Sequence, residues 1–167
     1  MNILELQKEA RSALPLMPSE IFELWLDERI QALGWPPYGS RWEGILHNQP
    51  LSIWKKIHWE KKEIPLSLQI FDKNSQYFIK AIQDGAVGNT NYVTQLTGNS
   101  GLRMKSIYKY INEYGTTPNS IIIIKGQQNY ILADGCHRMA VLSLLQNSPE
   151  DFKKLNAVHS VWMGTLK

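Results

Sequence analysis

Five consecutive residues, Asp134-Gly135-Cys136-His137-Arg138, bring together the side chains of this sequence best suited to chemistry. A carboxylate, a thiol, an imidazole and a guanidinium stand around one glycine. Upstream, Tyr130-Ile131-Leu132-Ala133 has the composition of a strand. Downstream, Met139-Ala140-Val141-Leu142-Ser143-Leu144-Leu145 is rich in helix formers. The quintet therefore sits at a strand-to-helix join. The first N–H groups of a helix have no acceptor within the helix, and the helix dipole places partial positive charge there. Such an end attracts phosphate or carboxylate. Gly135 tolerates backbone angles that other residues resist and lets a ligand approach the main chain. Arg138 offers a planar fork of donors suited to phosphate, and His137 a donor that also exchanges protons near neutral pH. Simpler roles exist for each residue: Asp134 as a helix N-cap, Gly135 as a turn residue, Cys136 as a small buried side chain, His137 and Arg138 as partners of distant carboxylates. As a group, the five read as an anion pocket.

The elements that must position this turn follow from periodicity. Ser19 to Leu33 reads as a helix capped by Ser19, with Ile21, Phe22, Trp25 and Ile30 on one face, and Gly34-Trp35-Pro36-Pro37 stops it. A short helix is expected from Leu51 to about His58. Leu66 to Ile70 alternates apolar and polar residues, the pattern of a half-buried strand, with Pro65 marking an edge. Asn74 to Ile82 reads as a short helix, Asp84 to Gly101 as a glycine-containing loop, and Leu102 to Tyr114 as a helix ended by Gly115. Ser120 to Ile124 contains four isoleucines in a row, a strand covered on both faces, and Gly126 to Asn129 turns it into Tyr130–Ala133 as a hairpin. A helix pair and a strand near Ala157 to Met163 close the chain. The fold class is α+β with a mixed or antiparallel sheet. Residues 1–60 hold five of the six tryptophans and form a helical N-terminal extension; residues 61–167 form the main domain. The tryptophans read chiefly as packing material.

Composition narrows the function classes. The 167 residues suit one domain with an appended segment, and 43% hydrophobic with 20% charged residues is the balance of a globular protein. A net charge of +3 is too small to predict nucleic-acid binding without a concentrated basic face. The lysines at 55, 56, 61 and 62 are interspersed with Glu60 and Glu63 and read as a solvated face. The single cysteine, Cys136, permits no internal disulfide, and the histidines at 47, 58, 137 and 159 are scattered, so no metal site is expected. Neither a signal peptide nor a membrane span is read, and cytoplasm is the expected location.

Gly135-Cys136-His137-Arg138, with Ala140 in the following helix, resembles the diagnostic turn of the ParB/sulfiredoxin superfamily and matches its sulfiredoxin form residue for residue. Glu63 to Ser67 is similar to that family's opening strand, Ser106 to Tyr114 to its middle helix, and Gly115 to Ile124 to the strand before the hairpin. The resemblance covers roughly residues 60–164, with an insertion near 84–101. It implies a small mixed sheet flanked by helices and a site for nucleotide phosphates. In sulfiredoxins the loop holds ATP phosphates and its cysteine, here Cys136, attacks during repair of a peroxiredoxin sulfinic acid. Free serine kinases carry Asp-Gly-His-His-Arg, which Asp134-Gly135 matches better, and there the aspartate acts near phosphoryl transfer. ParB proteins use a related loop for CTP.

The chain departs from these patterns too. Gln69-Ile70-Phe71-Asp72 stands where sulfiredoxins carry a basic residue, which counts against peroxiredoxin repair, and no helix-turn-helix is read, which counts against a partition role. The expectation is an ATP-dependent phosphotransferase acting on a small hydroxyl compound or a protein side chain, with Mg²⁺ accompanying the nucleotide. Gly135, Cys136, His137 and Arg138 would bind phosphate; Asp134 would orient the acceptor or the metal; His137 would move a proton; Cys136 would be a spacer or a reactive thiolate. Glu63 and Arg103 are further candidates. The alternatives are a non-catalytic module that senses a nucleotide or anion and a DNA-associated ParB-like protein, the last disfavoured by the modest charge.

Overall fold

The computed structural model describes residues 2–88 and 100–167. The chain is α+β, with a four-stranded mixed sheet of order β1-β4-β2-β3. Two compact units are formed, one from residues 1–61 with 162–167 and the other from residues 62–161. Among the described residues, no helix is long and apolar enough to cross a membrane.

The first unit is built on tryptophan. Helix α1 (Ile3–Ala13) opens with a capping box in which Asn2 and Glu5 satisfy each other's backbone N–H groups. The Ser19–Leu33 helix forms as expected but in three parts: α2 (Ser19–Ile21), a π-helical turn at Phe22–Leu26, and α3 (Asp27–Leu33). Its N-cap is Pro18, not Ser19, and no side chain caps it. Gly34 ends it at φ 80°. Arg11 reaches across from α1 to grip the Asp27 carboxylate with two bonds of 2.9 and 2.7 Å, lying over the Phe22 ring. Helices α4 (Ser40–Ile45) and α5 (Leu51–Trp54) complete the set. Trp54 lies 5.2 Å from Trp25 and 6.3 Å from Trp59 between ring centroids, and its indole N–H donates to the Leu46 carbonyl. Trp25, Trp42 and Trp54 are all buried, so these rings are the unit's own core.

The expected helix to His58 ends at Trp54, and strand β1 (Ile57–Ile64) takes up its last expected residues. The expected strand at Leu66–Ile70 is instead a 3₁₀ turn at Leu68–Ile70. Only Ile57 of β1 is buried, and Glu60 to Glu63 are all exposed. An edge strand carries charge because lysines and glutamates deter pairing with another chain, and that charge hides it from a hydrophobic-alternation reading. The lysine run is indeed solvated.

The second unit carries three helices that pack on one another: α6 (Lys73–Ala86), α7 (Ser100–Tyr114) and α8 (Cys136–Gln146). Helix α6 is longer than expected, starts from the Asp72 cap on the Ser75 N–H and runs into the first residues of the stretch read as a loop. Residues 89–99 of that stretch lie outside the described residues. Gly115 ends α7 at φ 74°. Strands β2 (Ile121–Lys125) and β3 (Tyr130–Asp134) form the antiparallel hairpin, closed by the Gly126 N–H to the Asn129 carbonyl. Ile121, Ile122 and Ile123 are fully buried, as a run covered on both faces must be. Ile122 faces Asp134 while Ile123 faces Leu132, so Ala133 is an extra residue on β3. Such a bulge twists the strand and re-aims the side chain beyond it, here Asp134. Phe71 bridges Tyr130 in parallel, and the buried Ser75 hydroxyl accepts the Leu132 N–H, which pins the start of α6 to β3. Helix α9 (Pro149–Phe152) leads to β4 (His159–Leu166).

Candidate functional site

The five residues picked from the sequence occupy the end of β3 and the first turn of α8. Gly135 is the N-cap, at φ 111° and ψ 24°, a conformation that favours glycine. A Cβ there would lie 3.2 Å from Ile121 and 3.3 Å from the Arg138 guanidinium. Cys136, His137 and Arg138 are the first three helical residues, and the first intrahelical bond runs from the Met139 N–H to the Gly135 carbonyl. Cys136 and His137 are half-buried.

Asp134 does not cap the helix. Its Oδ2 accepts from Arg138 Nη2 at 2.7 Å, and Arg138 Nη1 donates to the Ser120 carbonyl at 2.8 Å, with the Pro118 carbonyl at 3.5 Å. The two side chains are 13% and 21% exposed, Arg138 the more buried. The guanidinium thus stitches three places together: the end of β3, the start of α8 and the loop before β2. Its fork is aimed at protein oxygens, and Arg138 acts first as the clamp that fixes the turn. Asp134, paired with a cation, is engaged in the same clamp, and service as a base or metal ligand would require the pair to open. That loop is held from its other end as well, by Thr116 Oγ1 at 2.8 Å from His159 Nδ1 at the start of β4. Burial pushes the His159 pKa down, against a backbone hydrogen bond to Asn156 that raises it.

His137 makes the contact that reaches out of the turn. Its Nε2 lies 3.0 Å from Ser100 Oγ, and Ser100 is the first residue of α7. Ser100, where the described part of α7 begins, therefore meets the first turn of α8 at one side-chain hydrogen bond. The N-terminus of α8 contributes partial positive charge where an anion would sit. No protein-family model, no characterised protein and no solved structure matches this chain.

The remaining sequence candidates are placed differently. Arg103 is three residues after Ser100 on α7, on the same helical face, and exposed. Glu63 lies on β1, which stands at the opposite sheet edge from β3 with two strands between, a lateral separation of roughly 14 Å at the usual strand spacing. The fold does not gather it at the turn. Ser100 escaped the sequence reading because it lies at the end of a stretch read as loop, beside no motif; only the packing of α7 on α8 selects it. Among the described residues, no group of three or more His, Cys, Asp or Glu side chains could hold a metal ion. A shallow groove of about 380 Å³ between α7 and α8 is floored by Met104, Val141 and Leu145 and includes none of the five turn residues.

Proposed function

We propose that the Asp134–Arg138 turn and the first turn of α7 form a phosphate site for a nucleotide, in a protein of the ParB/sulfiredoxin kind. The observation that carries this reading is the Ser100–His137 hydrogen bond of 3.0 Å, which ties α7 to the first turn of α8. The order of α7, hairpin, glycine turn and α8 supports it, as does the Gly-Cys-His-Arg sequence at the join. Backbone N–H groups of residues 136–138 and His137 would hold the phosphates, with Arg103 at the rim. Arg138 would serve by keeping the turn in shape. ATP, with Mg²⁺ carried on its phosphates, is the expected ligand, and transfer of its terminal phosphoryl group to a hydroxyl is the expected reaction, since that chemistry asks mainly for positioning and charge stabilisation. A second reading is a non-catalytic nucleotide or anion sensor; the inward commitment of Arg138 favours it, because the most concentrated positive charge of the turn faces protein oxygens.

Calorimetry with ATP, ADP and CTP, each with and without Mg²⁺, tests the phosphate site. One saturable event per chain is expected for at least one nucleotide, weakened about tenfold or more by His137→Ala, which corresponds to about 1.4 kcal/mol. A folded protein that binds none of the three overturns the reading. Magnesium-dependent turnover then separates the transferase from the sensor.

A further inference from the structure

We propose that Ser100 is the nucleophile of this site, with His137 as its general base and a phosphorus centre as its target. The inference rests on the reading of the turn as a phosphate site. A serine hydroxyl is a weak nucleophile until an adjacent base accepts its proton, and the diagnostic geometry is a hydroxyl-to-imidazole hydrogen bond. Ser100 Oγ and His137 Nε2 meet that requirement at 3.0 Å. Ser100 is only 7% exposed, which limits competing water at the hydroxyl, and His137 sits in the first turn of α8, at a positive helix end where a developing phosphoryl charge is stabilised.

Both groups come from regular elements: α7 and α8 pack along their length, so the separation of hydroxyl and imidazole is set by helix packing. The second residue of α8 and the first of α7 are held in register by that contact, and the Arg138 clamp one residue further on holds the turn that presents His137. In the step itself, Ser100 Oγ attacks the terminal phosphorus of a nucleoside triphosphate while its proton passes to His137 Nε2. An Oγ–P bond forms, the bond from that phosphorus to the bridging oxygen breaks, and the nucleoside diphosphate leaves with the electron pair. Cys136 is not the reacting group in this scheme.

The test uses the full chain and two phosphorus electrophiles, ATP with Mg²⁺ and a small fluorophosphonate, in which fluoride is the leaving group. Tandem mass spectrometry then locates any adduct and distinguishes Ser100 from Ser106 of the same helix. The expected result is an adduct on Ser100 from either reagent, absent in Ser100→Ala. Its rate should rise with pH as one proton leaves, and fall about 100-fold or more in His137→Gln with the pH dependence flattened. Circular dichroism of both variants checks that they fold, and Ser106→Ala, at an exposed position of the same helix, should label at the unchanged rate and gives an independent control. Failure of both reagents to modify Ser100 in the folded wild-type chain overturns the proposal, as does an adduct formed equally fast in His137→Gln. The calorimetry above is read separately: nucleotide binding without an adduct from either reagent removes the nucleophile and leaves the phosphate site, whereas a fluorophosphonate adduct without nucleotide binding retains the nucleophile and removes the nucleotide.

Discussion

Replacing Arg138 by alanine should unfold the second unit well before the first. The guanidinium bonds Asp134 at 2.7 Å and the Ser120 carbonyl at 2.8 Å, and only 13% of the side chain is exposed. Removing one partner of a fully buried ion pair typically costs about 3–5 kcal/mol, because the other charge is left without compensation. Asp134 is 21% exposed and can recover part of its hydration, which lowers that share to roughly 2 kcal/mol. Losing a charged donor to the buried Ser120 carbonyl adds about 1–2 kcal/mol. The expected total is about 3–4 kcal/mol, or a fall in Tm of roughly 6–15 °C for a chain of this size. The assay exploits the placement of the fluorophores. All six tryptophans, at 25, 35, 42, 54, 59 and 162, lie in the first unit, so their emission in urea follows that unit, while far-UV circular dichroism also follows α6, α7 and α8. Arg138→Ala should move the dichroism transition to lower urea more than the fluorescence transition. A double-mutant cycle with Asp134→Asn should return a coupling of about 1–3 kcal/mol. A loss under about 1 kcal/mol for Arg138→Ala, or a coupling under about 0.5 kcal/mol, would refute the clamp and release the guanidinium for a ligand.

Two further perturbations bear on the same frame. Gly135→Ala places a side chain at φ 111° with its Cβ 3.2 Å from Ile121, so a loss of about 2–3 kcal/mol is expected in urea unfolding; a neutral result would mean that the turn relaxes to another conformation. Burial lowers the pKa of folded His159 below its ordinary 6.5, so below that pH the unfolded chain binds the proton more readily and stability drops as pH falls. His159→Gln should lose less stability than the wild type between pH 7.5 and about pH 5, and parallel stability curves would rule out this contribution.

The local grammar of the second unit was legible in one dimension. Four consecutive isoleucines require cover on both faces, Gly115 ends a helix, and Gly126 to Asn129 closes a hairpin, because each rests on backbone preference or short-range periodicity. The same is true of the strand, glycine turn and helix that hold Asp134 to Arg138. The front of the chain was legible as helical and tryptophan-rich. Its opening strand was not: β1 buries only Ile57 and is charged along its exposed length, so its identity depends on pairing in the sheet and not on its own alternation.

What the side chains of the site do was decided by tertiary structure. From sequence, Arg138 is a fork without an address; the bulge at Ala133 aims Asp134 at it, and the loop before β2 supplies the carbonyl that completes the clamp. Ser100 is 37 residues from His137 along the chain and stands beside no motif, yet helix packing brings the two within one hydrogen bond. Glu63, the first residue of the segment similar to the family's opening strand, is carried to the far edge of the sheet by strand order. Sequence by itself determined the local conformation at the turn, because φ preference and helix polarity act over a few residues. Partnership over longer separations is a property of packing, and only the folded chain decides it.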